Sequence, residues 1–213
     1  MPEVVVGRER AGAAVLSTPR EDSERLTDAV TRIAAESGYP AVEIEQIAAS
    51  AGLSVDTFND HFPNKDQCLL LAYDRFIEDM REHVAEACEE TDEWSEKVKI
   101  SIEAAFDYVV ELESVARVFA IDATRTGAAG VERRCASIDS AALRLKHGRL
   151  LYPAAAGYPD AMERTLVSGV VMIAMDHLLS EEADHLPGLA PEAVEMVLTP
   201  YVGLPRARSI ATA

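Results

Sequence analysis

The stretch SVDTFNDHFPNK, residues 54 to 65, places two kinds of side chain at helical spacing. Phe58 and Phe62 are four residues apart, and at about 100° per residue they share one face of a helix. Asp56 and Asp60 share the opposite face, with Thr57 and Asn59 on the flanks. The chemistry of such a face is hydrogen bonding: an asparagine can bridge adenine, and a carboxylate can accept from cytosine N4. Asp56, two positions beyond a Ser54 cap, favours the helix dipole by about 0.3 to 1 kcal/mol. Its match with Asp60 costs about 0.2 to 0.5 kcal/mol in like-charge repulsion. Two carboxylates alone make a poor cation site.

Other residues invite chemistry less strongly. His177, Glu181 and His185 fall at i, i+4 and i+8, a spacing that lines up metal ligands on one helix face, but Pro187 ends that helix and the acids around it suit an exposed end. No metal site is expected. Asp122 shares a face with Val115, Val118 and Phe119, where a carboxylate is costly unless paired, and Arg125 is its natural partner three residues on. The same pair could instead anchor a ligand in an apolar cavity with Phe106, Met172 and Met175. GxSxG, HExxH, phosphate-loop and dinucleotide signatures are all missing, so neither an enzyme nor a cofactor is expected.

The elements that would position these residues are helical throughout. Apolar residues recur at helical spacing, and no long alternating strand is present, which gives an all-α fold of about nine helices. Residues 1 to 22, with Gly7, Gly12 and Pro19 and no amphipathic repeat, read as a mobile arm. Ser23 is a plausible cap for a first helix carrying Leu26, Val30, Ile33 and Ala34 and ending at Gly38. Ile44, Ile47, Ala48 and Ala51 form a second, closed by Gly52; Ser54 caps a third; Asn64 caps a long fourth from Lys65. The two short helices joined by AGLS form a helix-turn-helix. Residues 160 to 181 are apolar almost all round and therefore need cover on two sides. A last helix follows Pro191.

Bulk properties narrow the class. With 48% hydrophobic and 27% charged residues among 213, the chain can bury a core. A net charge of −17 repels polyanions and anionic membranes at long range. Within residues 1 to 66, acidic side chains outnumber Lys and Arg two to one. Cys68, Cys88 and Cys135 form no CxxC pair and are expected to be reduced thiols. The opening MPEVVVGRERAGAAVL has its arginines after the apolar patch, unlike a secretion signal, and SGVVMIAM is too short to cross a bilayer. A cytoplasmic protein is expected.

The order of parts resembles the tetracycline-repressor (TetR) family of bacterial transcriptional regulators. The likeness rests on Gly38 and Tyr39, IAASAGLS, Thr57, Phe58, HFPNK and the long fourth helix. It implies a helix-turn-helix domain over 23 to 66, and a helical effector-binding and dimerisation body over 67 to 213. It further implies a homodimer through residues 160 to 203, a double-stranded DNA operator and a small apolar effector that releases a repressor. Ser54, Val55, Thr57, Asn59, His61 and Lys65 would meet the duplex, with Arg8, Arg10 and Arg20 of the arm reaching the minor groove. The family commonly has basic or small residues at Val55, Asp56 and Asp60, and Tyr at Asn59. The alternative is an acidic head that has lost DNA and serves as a protein-interaction or ligand-binding module.

Overall fold

The computed structural model describes residues 18 to 213, and every regular element among them is helical. The first helix, α1 (Pro19–Ser37), starts earlier than a Ser23 cap would place it. Thr18 is the cap: its Oγ1 accepts from the Glu21 amide and Glu21 Oε2 accepts from the Thr18 amide at 2.7 Å. That reciprocal box, with Pro19 in the first turn, outcompetes Ser23 as a start signal. Residues 19 to 22 are therefore helical with Thr18 as their cap, and residues 1 to 17 of the expected arm lie outside the described residues.

After a 3-10 turn at Tyr39–Ala41 come α2 (Ile44–Ala51) and α3 (Val55–His61). Gly52 sits between them at φ 68°, ψ 33°, the left-handed conformation that only glycine adopts cheaply. Leu53 N–H then closes back on the Ala48 carbonyl at 2.9 Å, fixing the angle of the helix-turn-helix. Asn64 Oδ1 accepts from the Gln67 amide and starts α4 (Lys65–Ala87).

The body comprises α5 (Trp94–Glu111), α6 (Glu113–Ile121), α7 (Ala128–Lys146), the short α8 (Gly148–Leu151), α9 (Met162–Leu179), α10 (Leu186–Val202) and α11 (Leu204–Ala211). Three details differ from the sequence reading. Asp122 ends α6, and a 3-10 turn at Ala123–Thr126 follows. Pro191 lies inside α10, as does Pro200, because the helix starts at Leu186 with Pro187 in its first turn. A further helix, α11, packs back on α10.

Two apolar cores result. One joins Leu26, Val30, Ile47, Phe58 and Phe62 of the head to Leu69 and Tyr73 of α4, and also to Val118 and Phe119 of α6 and Ala123 of the turn that follows it. The other gathers Ile102 and Phe106 of α5, Leu178 of α9 and Val194, Val197 and Leu198 of α10. The sequence boundary at residue 66 thus falls in the first turn of an unbroken helix, and the head's core extends into the body.

Candidate nucleic-acid interface and the head–body joint

Helix α3 is held by its inner residues and leaves its outer ones to solvent. Phe58 is fully buried and Phe62 nearly so, their rings 5.6 Å apart, while Val55 packs at the margin of the same core. Asp56, Asn59 and Asp60 are exposed, as the helical phase requires. Ser54 Oγ accepts from the Thr57 amide at 3.0 Å and shares a hydrogen bond with its hydroxyl at 2.8 Å. Both hydroxyls therefore serve the cap. His61 is half-buried beside the Phe62 ring.

Lys65 is drawn inward. Its Nζ donates to the Val42 carbonyl at 2.5 Å and lies 5.1 Å from the centroid of the Tyr39 ring. Tyr39 in turn donates to Asp66 Oδ1, and burial together with that carboxylate raises the phenol well above its ordinary range. Arg20 is exposed on the first turn of α1 and paired with Glu24 at 3.0 Å. Arg8 and Arg10 lie outside the described residues.

Two cations that sequence reading missed stand beside the helix-turn-helix. Arg32 is exposed and donates to the Ser50 hydroxyl at the end of α2. Arg25 lies over Gly52, where a Cβ would come within 2.8 Å of its Nη2. Their spacing of seven residues, two turns of one face of α1, was the available signal.

One turn of α4 connects head and body. The Tyr73 ring meets Phe119 edge-on at 5.8 Å and its hydroxyl contacts Ser137 of α7; Asp74 pairs with Arg133 of α7 at 2.8 Å. Arg75 reaches the other way, to Thr27 Oγ1 and Glu24 of α1, and Phe76 stacks between Phe119 and Tyr108. Arg134 donates to the Ala120 carbonyl at 2.6 Å, satisfying the free end of α6. The end of α6 is thereby tied to α7 and, through Val118 and Phe119, packed into the head's core.

The residues read as an effector site are not gathered in one place. Phe106 is buried in the second core, whereas Met172 is 53% exposed on the outer face of α9 and Met175 is half-buried. Asp122 is buried at the joint and takes Arg125 as its partner at 3.1 Å, with Arg125 itself exposed. His177, Glu181 and His185 do not share a helix. The His177 ring contacts its own helix at the Ile173 carbonyl, Glu181 turns to φ 60° and pairs with Arg117, and His185 stands in a separate 3-10 turn. No group of three His, Cys, Asp or Glu fit to hold a metal occurs among the described residues.

With this geometry in view, residues 26 to 72 match the family described as bacterial regulatory proteins, tetR family. Over those residues the chain is similar to that family. The tetR match spans α1 to the first turns of α4, which is the whole helix-turn-helix and its support. The transcriptional activator FasR of Mycolicibacterium smegmatis is 26% identical over 92 residues, 43% of this chain and 42% of FasR. The chain thus matches less than half the length of that relative. The tetR-like fold extends through the body. The fatty acid degradation regulator FadR of Bacillus halodurans superposes with a TM-score of 0.69 at 17% identity, over 89% of this chain and 98% of FadR. FadR of Bacillus subtilis in complex with stearoyl-CoA gives 0.66 at 18%, over 84% and 98%. The matched family is one of regulators, not enzymes, and among the described residues no helix is long and apolar enough to cross a membrane.

Proposed function

We propose that this chain is a dimeric, ligand-responsive transcriptional regulator that binds a double-stranded operator through paired α3 helices and is released by a small apolar effector. The observation that carries the reading is the exposed outer face of α3 on a helix-turn-helix that matches a regulator family. Arg25 and Arg32 beside the turn, and Asn59 on α3, are the contacts favoured for positioning and base reading. Lys65, already committed to Val42 and Tyr39, contributes by bracing the head.

Dimerisation is assigned to α9 and α10. Thr165 to His177 are nearly all partly exposed despite an apolar sequence, and Met172, Leu179 and Met196 are exposed outright. A symmetric copy of the same face would give these residues the second cover they lack. The effector is assigned to the core around Phe106, where α5, α9 and α10 meet. A related fold holding stearoyl-CoA supports an apolar ligand there. Ligand entering that core displaces α6, whose end is built into the head, and so alters the spacing of the α3 pair. By linkage, effector and operator weaken one another by the same factor.

Selection from a random duplex pool with the full-length protein at low salt tests this function. Enrichment of a two-fold operator supports it. Retention of no sequence favours the head as a protein-contact module, a reading that the two exposed aspartates on α3, unpaired among the described residues, would then explain.

A further inference from the structure

The state of each polar group on the α3 face narrows the bases that the head prefers. Ser54 and Thr57 are bonded to one another in the cap, and Lys65 is turned toward Val42. Asp56, Asn59 and Asp60 are exposed and have no hydrogen-bond or ion-pair partner among the described residues. The match to a DNA-reading family over this helix points to duplex DNA as what they meet.

We propose that these three residues select the operator by its major-groove hydrogen-bond donors, with cytosine amino groups facing Asp56 and Asp60 and an adenine facing Asn59. The inference rests on the DNA-reading function proposed above. An ionised carboxylate accepts and has no proton to give. Guanine offers N7 and O6 and thymine offers O4, all acceptors, so a carboxylate opposite either base is unpaired and repelled. Cytosine offers N4 as a donor with no acceptor on its own major-groove edge, which suits a carboxylate. Adenine offers N6 beside the acceptor N7, which suits an amide that both gives and receives.

Spacing adds a second condition. Four residues of helix rise about 6 Å, and base pairs stack at about 3.4 Å along a strand. The two cytosines therefore lie about two steps apart, with the Asn59 contact between or beside them. Specificity of this kind works mainly by penalty. A wrong base leaves an unpaired carboxylate close to phosphates, so unrelated DNA is disfavoured more than the right site is favoured.

The test begins from operators retained by the full-length protein. Each candidate cytosine is replaced by pyrimidin-2-one, which pairs with guanine but lacks the amino group, and affinity is measured for the native chain and for Asp56→Asn and Asp60→Asn. The expected result is a weakening of about tenfold to a hundredfold at the contacted cytosines with the native protein. The matching Asn variant should lose most of that sensitivity and bind unrelated duplex more tightly. Retained operators that tolerate every amino deletion, or Asn variants with unchanged base preference, overturn the inference and leave DNA reading intact. If no operator is retained, both fall together.

Discussion

Arg149 and Glu163 form a two-pronged ion pair in which Nε reaches Oε1 at 2.5 Å and Nη2 reaches Oε2 at 2.9 Å, with the glutamate only 2% exposed. The same guanidinium donates to the Tyr158 and Pro159 carbonyls, and Tyr201 donates to Glu163 at 3.0 Å. One buried carboxylate thus fastens the segment between α7 and α9 to the end of α10. Burial works to raise the Glu163 carboxyl, but the bonds from Arg149 and Tyr201 outweigh it and hold it below the ordinary value.

Removing this carboxylate leaves Arg149 and Tyr201 without their shared acceptor. Glu163→Ala is expected to cost about 3 to 5 kcal/mol of stability, read by denaturant titration. The pH sign follows from the lowered folded-state value. The contribution is complete above the unfolded value of about 4.3 and drains as pH falls below it toward the folded value. Trp94, the single tryptophan, stacks on Tyr201 at 4.8 Å and provides a fluorescence readout. Glu163→Gln should flatten the acid limb of its pH profile; an unchanged limb would assign the acid loss to other carboxylates.

Cys68 is fully buried, and burial pushes its thiol up to about 12. A thiolate is the reactive form, so Cys68 should resist alkylation at neutral pH in the folded protein and react only after unfolding. Cys88 and Cys135 are partly exposed and should be modified first. Peptide mapping after a short pulse of iodoacetamide distinguishes them, and early labelling of Cys68 would contradict the packing of α4 against the head.

Gly130 lies where α7 crosses the 3-10 turn after α6. An added Cβ would fall 1.7 Å from the Ala123 carbonyl oxygen, which is backbone and has little room to yield. Gly130→Ala is therefore expected to destabilise by about 1 to 3 kcal/mol or more through overpacking. Because Ala123 belongs to the head's core, the melting transition of the head should shift with it. A variant as stable as the parent would show that this joint is loose.

The cations beside the reading helix should separate in their salt response. Arg32→Gln is expected to weaken operator and unrelated DNA alike and to reduce the slope of log affinity against log salt by about 0.9. Lys65→Met should leave that slope unchanged while lowering the stability of the head, since its ammonium is held by Val42 and Tyr39. Equal slope losses for both would place Lys65 on phosphate.

Much of the head was legible because its signals are local. Gly52 in the left-handed turn, the Ser54 and Asn64 caps, and the Phe58/Phe62 stripe each act within a few residues and hold in the structure. The start of α1 was misplaced because Ser23 and Thr18 are both competent caps, and only the reciprocal bond with Glu21 decides between them. In the body, Pro191 looked like a boundary, yet α10 accommodates it in its second turn. The pairing of Arg149 with Glu163 was not legible, since two charged residues 14 apart have no periodic relation until a chain reversal brings them together. The Asp122–Arg125 pair, three residues apart on one segment, was. Met172 is exposed while Phe106 is buried, a difference hidden in the sequence because an all-apolar helix does not reveal which of its sides faces inward.

The proposed function requires an acidic-faced head to read DNA as a dimer with few phosphate contacts. The most direct measurement is a titration of the full-length protein onto its selected operator between about 50 and 200 mM salt, with the mass of the complex followed by sedimentation. The expected result is saturable binding by two protomers, with a loss across that range well short of the thousandfold that six or more phosphate contacts produce. Absence of saturable binding at the lowest salt, or a single protomer on the duplex, would contradict the account.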